Sequence, residues 1–108
     1  MESRPAVPSD ESEIVSNRGI TLDRHRHRAL AGEELLNVTL TEFRLLEALV
    51  REPGRAFTRT KLIHAAVGDD ALVSERTIDV HIRAIRKKLG PHAHLIETVR
   101  GVGYRFQE

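Results

Sequence analysis

The sequence is poor in several residue types that define whole classes of protein. Its 108 residues include no cysteine, which excludes disulfides and cysteine-ligated metal sites. Aromatic residues make up only 4%, so stacking on single-stranded bases is a weak explanation for any function. No apolar run reaches the roughly 18 residues of a membrane span. The start of the chain lacks the basic segment and apolar core of a secretion signal. This composition favours one small domain in a reducing cytoplasm, with no membrane partner.

Charge is distributed unevenly along the chain. The formal net charge is only +1, but residues 1–13 sum to −3 and residues 76–105 sum to +5. A basic segment attracts polyanions whatever the charge of the whole chain. A helix whose long cations merely face solvent is the alternative interpretation of the same charges. The asymmetry makes a nucleic acid the first candidate partner.

Two regions differ in composition. Residues 1–12 contain two prolines and three serines without apolar periodicity, which predicts a flexible leader or linker before a domain at residues 13–108. Short apolar segments at 14–15, 19–22 and 35–38 alternate with turn residues, which predicts several short antiparallel strands.

Histidines alternate with arginines at residues 24–28, a run that predicts a solvated turn or strand edge. A metal pair at His25 and His27, or at His92 and His94, is the alternative. Neither pair has a third ligand nearby, so the prediction is no metal and no cofactor.

Three helices are predicted between residues 39 and 90. The first begins with a capping box, in which the Thr39 hydroxyl and the Glu42 carboxylate satisfy backbone N–H groups, and it ends at Pro53-Gly54. The other boundary signals are Thr58 and Gly68 for the second helix, a loop at residues 69–73, and Ser74 and Gly90-Pro91 for the third.

The third of these helices, at residues 76–89, is the most informative segment. At 100° per residue it has an apolar stripe and, opposite, a basic face with one small apolar group at its centre. The stripe is Ile78, Ile82, Ile85 and Leu89, and the basic face is Arg76, Val80, Arg83 and Lys87. A helix that packs by an aliphatic stripe and exposes arginines can lie in a DNA major groove.

A β-hairpin is predicted after the third helix. Residues 95–99 and 104–106 are rich in β-formers and are joined by the turn Gly101-Val102-Gly103. Tyr104 and Phe106 alternate with Arg105, which predicts the aromatics inside and the arginine outside. Strands, three helices and a hairpin, in this order, predict an α+β fold, a winged helix-turn-helix with an N-terminal antiparallel sheet.

With these motifs in place, the chain resembles the OmpR/PhoB family of winged-helix effector domains over residues 14–108. The resemblance rests on LTEFRLL at 40–46, RTKL at 59–62, RTIDVHIR with RKKL at 76–83 and 86–89, and TVRGVGYRF at 98–106. It implies a four-stranded N-terminal sheet, a third helix in the major groove and a wing in a minor groove. It also implies a cytoplasmic transcription regulator that acts as the output domain of a two-component phosphorelay response regulator.

The resemblance implies partners as well. Family members bind direct repeats of double-stranded DNA as head-to-tail dimers, contact RNA polymerase through the loop before the third helix, and follow a receiver domain. Two positions depart from the family. Val67 stands where members often have a large aromatic, and Ala84 stands where some place a groove arginine. The DNA sequence preferred by those members is therefore not transferred to this chain.

Each candidate contact has a chemical reason. Guanidinium pairs with guanine N7 and O6, valine fits a thymine methyl, and an arginine suits a narrow minor groove. The predicted base contacts are Asp79, Val80, Arg83 and Ala84; the predicted phosphate contacts are Arg59, Thr60, Arg76, His81, Arg86 and Lys87; the predicted minor-groove contacts of the wing are Thr98 and Arg100.

Three of these roles have alternatives. Arg83 could clamp a phosphate, Asp79 could orient a neighbouring arginine, and Arg100 could sit in solvent at the hairpin tip.

The sequence thus predicts sequence-specific binding of double-stranded DNA without chemistry. No Ser/His/Asp set or phosphate-cradling glycine loop is present, and neither His64 nor His81 has a nucleophile at motif spacing, so the chain is not predicted to be an enzyme. The alternative is a winged helix kept as a protein-interaction module.

Overall fold

Four short antiparallel strands, three α-helices and a small second sheet follow one another along the chain. The computed structural model describes residues 13–67 and 75–108. The elements are β1 (Ile14–Asn17), β2 (Ile20–Asp23), β3 (Arg28–Ala31), β4 (Glu34–Leu36), α1 (Leu40–Arg51), β5 (Phe57–Thr58), α2 (Arg59–Val67), α3 (Glu75–Leu89), a 3₁₀ helix (Gly90–Leu95), β6 (Ile96–Val99) and β7 (Gly103–Phe106). The predicted leader at 1–12, the loop at 69–73, and the boundary residues Gly68 and Ser74 lie outside the described residues.

The N-terminal sheet has the strand order β1-β2-β3-β4, each strand antiparallel to the one before. Ile20 and Leu22 of β2 pair with Ala31 and Ala29 of β3, and all four side chains are buried. The predicted antiparallel strands are confirmed, as is the turn at 24–27. The β3 strand was not predicted separately, because Arg28 and two alanines carry little β signal.

The predicted capping box opens α1. The Thr39 hydroxyl accepts from the Glu42 N–H at 3.1 Å, and Glu42 Oε1 accepts from the Thr39 N–H at 2.9 Å. Glu42 Oε1 also lies 2.6 Å from Lys88 Nζ at the far end of α3. One buried carboxylate therefore caps α1 and ties it to α3.

The apolar stripe of α3 is buried as predicted, with Ile82 and Ile85 fully enclosed. Burying such a side chain contributes about 1.5–3 kcal/mol. The helix stops before Gly90, whose φ of +57° suits glycine, and Gly90 and Pro91 then lie in the first turn of the 3₁₀ helix. Leu95 was expected to begin a strand but ends this 3₁₀ helix and is buried in the core.

The second sheet is three-stranded, in the order β5-β7-β6, and β6 with β7 forms the predicted hairpin. The extra strand, β5, has two residues, too few for any alternation to show in the sequence. Tyr104 and Phe106 are buried and Arg105 is exposed, as predicted. No helix among residues 13–67 and 75–108 is long and apolar enough to cross a bilayer.

Candidate nucleic-acid interface

The face of α3 opposite the buried stripe is open to solvent. Val80 is 58% exposed, the largest exposure among the apolar side chains of α3. Arg76, Arg83 and Lys87 surround it and are also exposed, so an apolar spot stands at the centre of a basic surface. Ala84 lies half-buried at its edge. The structure thus brings the predicted base-reading residues Val80, Arg83 and Ala84 together on one accessible helix face.

Asp79 joins three elements. Its Oδ1 accepts a hydrogen bond from Arg59 Nε at 2.8 Å and another from the Tyr104 hydroxyl at 2.7 Å. Arg59 opens α2 and Tyr104 lies in β7, so the carboxylate links α3 to both. Of the two roles that the sequence left open for Asp79, this contact corresponds to orienting an arginine. The hydrogen bond from Arg59 and then that from Tyr104 hold the pKa of Asp79 below its ordinary value, against the opposing effect of burial.

Arg86, two turns further along α3, contacts the other strand of the hairpin. Its Nη2 donates to the Ile96 carbonyl oxygen at 2.7 Å and to the Thr98 hydroxyl at 2.9 Å, while Nε reaches the same carbonyl at 3.2 Å. The guanidinium also lies 5.4 Å from the Tyr104 ring centroid. Arg86 and Thr98, which were predicted to contact DNA, therefore also contact each other.

The remaining predicted phosphate contacts lie at the start of α2 and on the flank of α3. Thr60 is exposed at the start of α2 and donates from its hydroxyl to Glu75 Oε2 at 3.3 Å. The Thr58 hydroxyl accepts from the Lys61 N–H at 3.1 Å, so it caps α2 as predicted. His81 is half-buried on the flank of α3. The amino end of α2 consequently faces the same side of the molecule as the first turn of α3.

Arg100 projects from the turn between β6 and β7. It is exposed, and the turn is closed by the Val102 N–H, which donates to the Val99 carbonyl at 2.9 Å. Gly101 has φ of +80°, a conformation that L side chains rarely adopt. A short turn with an arginine at its tip is a shape that can enter a groove.

Sequence reasoning missed the role of Tyr104, which it placed in the core and nothing more. The ring is buried, but its hydroxyl meets Asp79, and the Arg59 and Arg86 guanidinium carbons lie 6.0 and 5.4 Å from its centroid. The available signal was the hydroxyl itself, because a buried tyrosine oxygen needs a partner. The chain offered several candidate partners, and only the fold selects among them.

The histidine pairs do not assemble into a metal centre. Within the described parts of the chain, no three His, Cys, Asp or Glu residues come together as ligands. His25 Nδ1 lies 3.6 Å from Glu13 Oε1, and the His27 ring packs against Phe43 with centroids 5.5 Å apart.

Replacing Asp79 with asparagine should destabilise the fold in a pH-dependent way. Because the carboxylate has a lowered pKa when folded, its stabilising effect is complete above the ordinary aspartate pKa of about 4 and is lost as the pH falls below that value. The effect should be modest, since the Asp79 and Arg59 side chains are each 37% exposed and water screens the pair. Urea unfolding of both proteins from neutral to acidic pH measures it, and a difference that stays constant down to about pH 3 would contradict it.

Comparison with known proteins gives consistent matches. Residues 32–106 match the family described as "Transcriptional regulatory protein, C terminal". The chain is 43% identical over 105 residues to the phosphate regulon transcriptional regulatory protein PhoB of Escherichia coli (strain K12), covering 95% of this chain and 46% of that protein. The chain therefore spans about half the length of the curated relatives it matches.

Two solved structures of similar domains contain DNA. The crystal structure of the response regulator AdeR DNA-binding domain, in complex with an intercistronic region, has a TM-score of 0.76 and 36% identity, covering 86% of this chain and 98% of that one. The Klebsiella pneumoniae RstA DNA-binding domain, in complex with the RstA box, has a TM-score of 0.74 and 28% identity, covering 88% and 97%.

Proposed function

The chain belongs to the family of C-terminal domains of transcriptional regulatory proteins, of the OmpR/PhoB type, and from that premise we propose that it binds double-stranded DNA sequence-specifically and regulates transcription as the output domain of a two-component response regulator. Such a domain is a DNA-binding regulator and not an enzyme. The observation that carries the proposal is the outer face of α3, where exposed Val80 is surrounded by exposed cations. A valine that is 58% exposed adds little to the core, but in a major groove it can contact a thymine methyl.

Base recognition is assigned to the middle of α3. Arg83 lies on the exposed face and can pair bidentately with guanine, while Val80 and half-buried Ala84 offer apolar contacts to thymine. Asp79 is held by Arg59 and Tyr104, so we assign it first to positioning and only second to accepting from a cytosine amino group.

Phosphate contacts set the affinity and the register of α3 on the duplex. Exposed Arg76 and Lys87, and half-buried His81 on the flank of α3, are assigned to the strand backbones on either side of the groove. Arg59 and Thr60 lie at the start of α2, where backbone N–H groups and the helix dipole favour a phosphate. Arg86 is also assigned to a phosphate, although its guanidinium donates to the Ile96 carbonyl and the Thr98 hydroxyl of the hairpin.

The wing is assigned to a minor groove. Exposed Arg100 at the tip is the inserted side chain, and Thr98 lies on the adjoining strand. A minor groove over A·T base pairs is narrow and strongly negative, which favours an arginine there.

The partners of the intact regulator are proposed from the family. They are direct DNA repeats bound by head-to-tail dimers, a receiver domain, and RNA polymerase, in a cytoplasmic protein. The polymerase contact would use the loop at 69–73, which lies outside the described residues, and the absence of a large aromatic at Val67 weakens the support for it.

The proposal is tested by Arg83→Ala on the best duplex found by in vitro selection. Loss of a bidentate base contact should weaken binding by about 1–3 kcal/mol and relax the preference at one base pair. Arg28→Ala is the matched control, since Arg28 is equally a solvent-exposed arginine but lies in the N-terminal sheet. Equilibrium titrations with single-site duplexes measure both variants.

Two results would count against the proposal. If Arg83→Ala and Lys87→Ala both bind as well as the parent while the fold persists, the basic face does not read DNA, and the protein-interaction module is favoured. If Arg28→Ala weakens binding as much as Arg83→Ala, the loss reflects total charge and not a base contact.

A further inference from the structure

The wing is attached to α3 at two points, one on each strand of the hairpin. On β7, the Tyr104 hydroxyl donates to Asp79 in the first turns of α3. On β6, the Ile96 carbonyl and the Thr98 hydroxyl accept from Arg86, seven residues later on α3. A separation of seven residues places both attachment points on the same side of the helix, two turns apart.

The two attachments share one aromatic ring. The guanidinium carbons of Arg59 and Arg86 lie 6.0 and 5.4 Å from the Tyr104 ring centroid, so both cations lie close to the ring whose hydroxyl binds Asp79. Thr98 and Tyr104 are direct cross-strand partners in the hairpin. A rotation of the wing about either attachment would therefore disturb the other.

We propose that this wing latch, formed by Tyr104, Asp79 and Arg86, sets the position of Arg100 relative to Arg83 and so makes minor-groove and major-groove binding mutually dependent. The inference rests on the proposed DNA binding. Tyr104 and Asp79 are positioning residues here, because they act on DNA through Arg100 and Arg83. Preorganisation is the physical reason: a wing already held at the right angle loses less conformational entropy when it enters a groove.

The test is a double-mutant cycle between the latch and the wing tip. In the parent protein, Arg100→Ala should weaken binding about tenfold. In a Tyr104→Phe background, which keeps the ring and removes only the hydroxyl, the same change should weaken it about twofold, since the wing is then free to miss the groove. A merely structural role for the hydroxyl would lower the urea midpoint but leave the tenfold factor unchanged.

The hairpin offers a matched control. Arg105 Nε donates to Glu97 Oε1 at 2.7 Å, a bond between the same two strands that lies within the hairpin itself. Glu97→Gln weakens this bond within the wing, and Arg100→Ala in that background should still cost about tenfold. Arg86→Lys keeps the charge but not the bidentate donation, so it should reduce the Arg100 effect as Tyr104→Phe does.

The outcomes are separable. Equal effects of Arg100→Ala in the parent and in Tyr104→Phe would overturn the latch. An Arg100→Ala that has no effect in the parent would also overturn it, because Arg100 would then make no contact in the groove that the latch could position. In both cases salt-dependent binding by the parent would still support the proposed function. A parent chain that binds none of the selected duplexes would instead refute the proposed function itself.

Discussion

The affinity of the domain for its DNA site is expected to fall about a thousandfold as the salt concentration rises from about 50 to 200 mM. If about six phosphates are neutralised, the release of condensed counterions gives a slope near −5 in log affinity against log salt. The exposed cations around Val80, the start of α2 and the wing tip are the groups available for these contacts. Equilibrium titration of a labelled duplex over this salt range measures the slope.

Two variants of the same helix face separate charge from sequence reading. Lys87→Ala removes one exposed cation and should make the slope shallower by about 1, with the same loss on every sequence. Val80→Ala removes no charge, so the slope should stay unchanged while the preference for thymine at one position weakens. A flat salt response in the parent protein would contradict DNA binding through this surface.

The parts of the fold that the sequence predicted are those set by local signals. The capping box of Thr39 and Glu42 spans four residues, and the isoleucine stripe of α3 repeats within two turns, so each could be recognised without knowing what it packs against. The glycine turn of the wing is equally local. Features of this kind depend on capping residues and on apolar periodicity, and both can be recognised in a short stretch of sequence.

The contacts that escaped prediction are non-local. Asp79 meets Arg59, 20 residues before it, and Tyr104, 25 residues after it. No pattern distinguishes these partners from the many other cations and hydroxyls of the chain, so the sequence left the role of Asp79 open. The two-residue strand β5 was missed for the same reason, because it exists only through pairing with β7. The base and phosphate contacts stay predictions, because they depend on a duplex.

Gly103→Ala is expected to destabilise the protein by about 3 kcal/mol, out of the roughly 5–15 kcal/mol typical of a small domain. A Cβ at this position would overlap the carbonyl oxygen of Phe57 and approach both the Phe57 carbonyl carbon and the Thr58 Cα to 3.2 Å. All three atoms are backbone, so no side chain can rotate away. The clash can be relieved only by separating β5 from β7, which disrupts the pairing of Thr58 with Gly103.

Gly101→Ala is the control, in the same wing. Gly101 has φ of +80° but open space around it, so alanine there should cost only the backbone strain of about 1–2 kcal/mol. Urea unfolding compares the two, and a Gly103→Ala protein no less stable than Gly101→Ala would show that β5 is not held against β7. Separation of β5 also moves Thr58 and the adjoining Arg59, and Arg59 donates a hydrogen bond to the Asp79 carboxylate. Gly103→Ala should therefore weaken DNA binding beyond its effect on stability, whereas Gly101→Ala leaves the Arg59–Asp79 contact in place.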